Sequence, residues 1–268
     1  MPTISLAYHD VVPRGAFESS GFSSADPAGD PQHLYKFEIQ DFEAHLDAID
    51  VTCGHLLRQR QTALTLNGAR EAVFLHFDDG GKSATTVGQL LAVRGWRGHF
   101  WITTDRIGNS GFVSADDILG LIDQGHVVGS HSCSHPLLMG QLSDAELDRE
   151  WRESLEALSE ISQRRICVAS VPGGDCPERV VAAAARSGVQ LLFNSEPTMV
   201  MSQRAGCTIL GRYSIKRSTS PREAAAIASG ARRPRYRQWA LWNAKKLAKR
   251  AGGSYWLALR RQLLRPGS

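Results

Sequence analysis

Two adjacent carboxylates stand in the run His76-Phe77-Asp78-Asp79-Gly80-Gly81, directly after the apolar segment Ala72-Val73-Phe74-Leu75. The apolar segment reads as a buried strand, and the glycines allow a sharp backbone turn beyond it. Carboxylates pressed together at a strand's C-terminal end repel each other unless a cation or a proton lies between them. That need is met if one Asp ligates a metal while the other works as a base. Downstream, Gly129-Ser130-His131-Ser132-Cys133-Ser134-His135-Pro136 supplies two histidines four residues apart, joined by small polar residues and closed by a proline. From a turn or the start of a helix, His131 and His135 can converge on one ion. One Asp and two His leave open positions for water on a divalent cation, the pattern of a catalytic rather than a structural site.

The elements that must carry these residues alternate strand and helix. Thr3–Tyr8 reads as a buried strand ending at His9, and Arg14–His33, rich in Gly, Ser, Asp and Pro, as a long surface loop. Asp41 is expected to cap a helix through about Val51, with Phe42, Leu46 and Ile49 on one face. Strands are then expected at Ala72–Phe77, Gly98–Thr103, His126–Gly129, Cys167–Val171, Gln190–Asn194 and Thr208–Arg212. Helices are expected at Ser83–Arg94, Asp117–Gln124, from Ser143 to about Gln163, Pro177–Ser187 and Pro221–Ser229. Ser114 and the Ser143/Glu146 capping box mark two of the helix starts. This alternation implies a parallel sheet with helices outside, as a barrel or an open sheet. In both, function gathers at the C-terminal ends of the strands, where every motif named here falls.

With 268 residues, 42% of them apolar and 22% charged, the chain can bury a substantial core and has the composition of a globular protein. Its five cysteines are odd in number and scattered, which argues against a disulfide framework and fits a reducing compartment. No secretory signal or membrane-spanning run is visible, so a cytoplasmic protein is expected. The net charge of +4 hides an asymmetry: from Ala231 to Ser268 there are eleven Lys or Arg and no Asp or Glu. The other 230 residues hold 20 basic and 27 acidic groups, a balance of −7. An acidic body without a base-reading fold argues against nucleic acid as a partner. The tail interleaves Trp239, Trp242 and Trp256 with Lys and Arg over Tyr236–Arg250 and Tyr255–Leu264. Basic amphipathic helices of this kind fit peripheral contact with an anionic membrane or with lipid-linked sugar phosphates; the alternative is a helix that packs its Trp face on the body. Two domains are expected on this basis: residues 1–230 as an α/β body and residues 231–268 as a basic, helical tail.

These motifs resemble the polysaccharide deacetylase family, the NodB-homology domains of carbohydrate esterase family 4. Phe77-Asp78-Asp79-Gly80 is similar to that family's first motif and His131-Ser132-Cys133-Ser134-His135 to its second. The resemblance covers roughly residues 70 to 215 and the first strand. It implies an irregular (β/α) barrel in which Asp79, His131 and His135 hold a divalent metal, Zn²⁺ or another such as Co²⁺ or Ni²⁺, and Asp78 is the general base. It also implies a carbohydrate substrate, N-acetylated in a surface polysaccharide or its lipid-linked precursor. The third motif departs from the family: the stretch is Ser170-Val171-Pro172-Gly173-Gly174, with Ser170 for the usual arginine and Gly173 for the usual aromatic. Gly173 and Gly174 can present a backbone N–H to an oxyanion, or serve only as a strand-to-helix turn. The late motif, normally Leu-x-His, is Leu210-Gly211-Arg212, and arginine cannot protonate a leaving amine. Some branches of the family carry that histidine on the first strand, and His9 is similar to it; a buried structural histidine is the other reading. Arg212 is then free to pair with Asp78 or to bind substrate. The rival functions are a carbohydrate-binding protein without turnover and a hydrolase of O-acetyl or small N-acyl substrates.

Overall fold

The computed structural model of the protein describes residues 3–22, 31–59, 72–136 and 138–252. The chain begins with β1 (Thr3–Tyr8), β2 (Val11–Val12), β3 (Phe37–Glu38) and α1 (Ile39–Leu57). There follow β4 (Ala72–Phe77), α2 (Ala84–Val93), β5 (Gly98–Ile102), α3 (Ala115–Asp123), β6 (Val127–Ser130), α4 (Asp144–Ser162), β7 (Val168–Ser170) and α5 (Glu178–Arg186). The last elements are β8 (Leu191–Phe193), β9 (Ser202–Arg204), β10 (Cys207–Leu210), β11 (Tyr213–Ser214), α6 (Pro221–Ala228) and α7 (Arg232–Gly252).

Nine strands form one sheet in the order β11-β1-β4-β5-β6-β7-β8-β10-β9, parallel throughout except for β9. β1, β4 and β5 are buried along their whole length, as strands covered on both faces must be. β10 and β11 are separated only by Gly211 and Arg212, yet β10 pairs with β8 at one end of the sheet and β11 with β1 at the other. The sheet therefore curls until its two ends meet at those two residues, which is the irregular α/β barrel expected. A side chain at Gly211 would lie 2.1 Å from the Glu196 carbonyl oxygen, so the seam closes only over a glycine.

Inside the curl, strand alternation sets which residues meet. His76 and Trp101 share this interior with Phe193: the Trp101 indole N–H donates to His76 Nδ1 at 3.1 Å, and the two rings stack with centroids 5.5 Å apart. His76 thus packs inside the curl. Two residues past His76 on the same face comes Asp78, and two past Leu210 comes Arg212.

Several boundaries differ from the sequence reading for identifiable reasons. α1 starts at Ile39 after Glu38, which makes no side-chain capping bond, so Asp41 is not its cap. It lies instead in the first turn, where a carboxylate complements the helix dipole. Arg14–His33 is not simply a surface loop: Ser20 and Gly21 are buried, because the buried carboxylate of Asp10 draws Ser20 Oγ to 2.6 Å and Lys36 Nζ donates to the Phe17 and Ser20 carbonyls, each at 2.7 Å. Residues 23–30 of that loop and the stretch Tyr255–Leu264 lie outside the described residues. β9 was not expected, since Ser202-Gln203-Arg204 has no apolar alternation. It arises from a two-residue hairpin turn at Ala205-Gly206, both with positive φ (46° and 88°). Among the described residues, no helix is long and apolar enough to cross a membrane.

Candidate metal and catalytic site

Asp78 and Asp79 follow β4 at its C-terminal end, and the strand's ladder continues one step beyond it, with Asp78 N–H donating to the Tyr8 carbonyl at 3.1 Å. Asp79 adopts φ 77°, a left-handed conformation that a non-glycine residue holds at a cost of about 1–3 kcal/mol. That turn separates the two carboxylates, so adjacent residues take different partners. Gly81 has to lack a side chain, because a Cβ there would lie 2.0 Å from Asp10 Oδ1. Asp10 in turn accepts from Ser83 Oγ at 2.8 Å and ties the turn to the start of α2.

The loop after β6 brings His131 and His135 to Asp79. Their Nε2 atoms lie 3.5 and 3.2 Å from Asp79 Oδ1, and one ligand atom from each of the three residues falls within 4.8 Å of the others. Ser132 and His135 also have positive φ, 64° and 62°, so this part of the loop carries backbone strain like that at Asp79. His131 Nδ1 lies 3.0 Å from the Ser170 carbonyl. A carbonyl only accepts, so Nδ1 carries a proton, which leaves Nε2 as the atom that would ligate an ion. Ser170, which stands where the family has arginine, thus orients His131 through its backbone.

The electrostatics fit a cation at this point. Burial pushes the Asp79 carboxyl up, but hydrogen bonds from His131 and His135 prevail and hold it well below the usual carboxylate range. Burial lowers His135, yet Asp79 and Asp78 raise it above its ordinary value. The same negative potential would favour a divalent ion, and a carboxylate with two imidazoles is a donor set suited to zinc and its neighbours.

Asp78 is held differently. Arg212, fully buried, donates through Nη1 to Asp78 Oδ1 at 2.5 Å and through Nη2 to Oδ2 at 2.9 Å, while its Nε donates to the Asn194 carbonyl at 3.1 Å. Burial would raise the Asp78 carboxyl; Arg212, with His131 and His9, outweighs it and keeps the group below the usual range. Asp78 therefore stays ionised and aimed, 4.0 Å from His131 Nε2. An arginine at the seam of the barrel thus pairs with Asp78.

His9 follows β1, whose Tyr8 pairs with Phe77, so it emerges beside Asp78. Its ring stacks on Tyr35 with centroids 4.5 Å apart, and its Nδ1 is buried without a hydrogen-bond partner. Gly173 and Gly174 form a tight turn after β7, with φ 64° and 72°. The Gly174 N–H donates to the Val171 carbonyl at 3.0 Å and closes that turn, while Gly173 is exposed. Cys133 Sγ turns away from the three-residue cluster and donates to Asp105 Oδ1 at 2.9 Å.

Glu150 on α4 escaped the sequence reading. Buried, it accepts from Cys133 N–H at 3.0 Å, Ser134 N–H at 2.8 Å and Ser134 Oγ at 2.6 Å, bracing the histidine loop from behind. The available signal was an acidic residue on the apolar face of an amphipathic helix, between Leu147, Trp151 and Ser154. Phe22, 4.8 Å from the His135 ring, was likewise missed.

Residues 66–192, just under half of the chain, match the family model described as polysaccharide deacetylase. No curated protein matches the sequence. Among solved structures, a polysaccharide deacetylase from Bacillus cereus is similar at 18% identity and a TM-score of 0.66, over 85% of this chain and 69% of the other. The Streptococcus pyogenes deacetylase PplD, solved with acetate, gives 17% identity and 0.65 over 85% and 98%. IcaB from Ammonifex degensii gives 17% and 0.64 over 85% and 97%. At these identities the likeness is one of fold alone, and the family rests on the model match over the residues it covers. Residues 66–192 thus belong to the polysaccharide deacetylase family, and the described chain around them has the fold of solved deacetylases.

Proposed function

We propose that the protein is a metal-dependent deacetylase that hydrolyses N-acetyl groups of a polysaccharide or of its lipid-linked precursor. The observation that carries this reading is the division of labour in the aspartate pair. Asp79 faces the Nε2 atoms of two histidines, while Asp78 is held by a buried bidentate arginine. A binding protein has no use for a second carboxylate kept ionised and oriented at such desolvation cost.

Asp79, His131 and His135 would hold the ion, Zn²⁺ or another divalent metal such as Co²⁺ or Ni²⁺. A divalent cation so bound supplies Lewis-acid chemistry, polarising the acetyl carbonyl and making water acidic enough to ionise near neutral pH. Asp78 takes the proton of the attacking water, and Arg212 fixes the direction in which it does so. His9, on the β1 side, gives a proton to the departing amine, so that acetate and a free amino sugar leave. Gly173, at the exposed turn after β7, lines the acetyl group's oxygen side. Residues 1–230 form the catalytic body in this reading and residues 231–268 a basic tail that favours an anionic membrane or glycan carrier. The helix α7 keeps Tyr236, Trp239 and Leu241 exposed beside its Arg and Lys residues, as such contact requires.

The test is acetate release from N-acetylglucosamine oligomers with added Zn²⁺ or Co²⁺. Release that disappears in Asp78→Asn and Asp79→Ala supports the proposal. Oligomers that bind but are not hydrolysed under any of these metals would leave the non-catalytic reading.

A further inference from the structure

At the ends of β7 and β8 lies a cavity of about 500 Å³ that the chemistry above does not use. It opens between the turn after β7, at Gly174 and Asp175, the end of β8, at Asn194 and Glu196, and the tail helix α7, which contributes Trp242 and Lys246. Both of the body's walls belong to segments that also hold the site. The Asn194 carbonyl receives the Arg212 Nε–H, and Arg212 holds Asp78. Four residues before Gly174, the Ser170 carbonyl fixes His131.

We infer that this cavity is a sugar-binding subsite in which Trp242 packs against a pyranose ring of the glycan, next to the unit being deacetylated. The inference rests on the glycan reading of the aspartate site. An indole offers a flat apolar platform with modest ordering cost. Lys246, one turn further along α7, lies 4.7 Å from the Trp242 ring centre and helps to fix its orientation. Around the ring, Asp175 and Glu196 provide acceptors and Lys246 a donor. Arg204, also in the wall, is already engaged: its Nε donates to Glu178 at 2.9 Å and an Nη to the Cys176 carbonyl at 3.2 Å. Two acidic and two basic side chains line the cavity, and acceptors and donors of both signs suit a neutral ring bearing hydroxyls better than a phosphate or a carboxylate. The volume also suits a sugar unit, as it falls in the range of ordinary small-ligand pockets. The tail helix on this account is part of the substrate groove.

The test is calorimetric titration of N-acetylglucosamine oligomers of increasing length into the full chain, in an Asp78→Asn background that stops turnover. Affinity is expected to rise with length. Trp242→Ala should weaken the longest oligomer by about tenfold and Trp242→Phe should recover most of that loss. Equal affinity in Trp242→Ala and its parent, or no binding at any length, overturns the subsite. Acetate release by the wild-type chain is measured separately. Trp242-dependent binding without release would retain the subsite and discard the deacetylase reading, whereas release without Trp242-dependent binding would do the reverse.

Discussion

Arg212 and Asp78 are 134 residues apart in sequence and meet as a bidentate pair, with Nη–Oδ distances of 2.5 and 2.9 Å, where the two ends of the curled sheet come together. The closure of the barrel and the orientation of the candidate base are therefore one event. An arginine at the seam can reach Asp78 only because β10 and β11 pair with opposite ends of the sheet.

Arg212→Lys is expected to lower kcat about a hundredfold while leaving KM nearly unchanged, since a point-charge ammonium cannot fix both carboxylate oxygens. Arg212→Met should also lower thermal stability, because it leaves a buried carboxylate unpaired at a cost of about 3–5 kcal/mol. Steady-state kinetics and thermal melts check the two effects. Wild-type kcat in the lysine variant would detach Arg212 from the base.

Replacing His9 tests the amine-protonation step. His9→Gln should reduce kcat by a factor of about 10²–10⁴, the range for loss of a general acid, and metal content should not change. Turnover unchanged in this variant would return His9 to a structural role against Tyr35.

Glu150 touches none of the reacting atoms and acts through the histidine loop. Glu150→Gln weakens a carboxylate that accepts three hydrogen bonds, so metal affinity is expected to fall about 10–100-fold, as for other groups that support metal ligands. Competition with a zinc chelator reads this directly. Excess metal should restore kcat in the variant, which a simply misfolded protein would not allow.

The Lys82–Asp117 pair makes a stability prediction with a defined sign. Burial raises the Asp117 carboxyl, but Lys82 and the Ser114 N–H and hydroxyl prevail and lower it below its ordinary value of 3.8. A depressed folded-state value means the stabilisation is complete above the unfolded value and is lost as pH falls through the folded one. The melting difference between wild type and Asp117→Asn should therefore be constant near neutrality and shrink only below about pH 4.

Much of this was legible in the chain because local rules and function agreed. Val73, Phe74 and Leu75 announce a strand buried on both faces, and the Asp-Asp-Gly-Gly run can only follow it. Ser114 and Ser143 cap their helices as expected, Ser143 in the capping box that its spacing to Glu146 implies. What stayed hidden depends on closure. For Arg212 the sequence left two roles open, pairing with Asp78 or binding substrate, and only the closure of the sheet brings it onto Asp78. Glu150 drew no attention in the sequence, because its burial is set by the packing of α4 over the histidine loop. Trp242 read as part of a basic amphipathic stretch, and the cavity it borders exists only once α7 lies beside the turn at Gly174.

The central claim is that Asp79, His131 and His135 hold the ion on which hydrolysis depends. The most direct measurement is acetate release by chelator-stripped protein titrated with Zn²⁺, followed together with bound metal. The account predicts no release from the stripped chain, full release as one equivalent binds, and neither binding nor release in Asp79→Ala. Release that persists in the stripped chain, or that rises with zinc in Asp79→Ala as in the wild type, would contradict it.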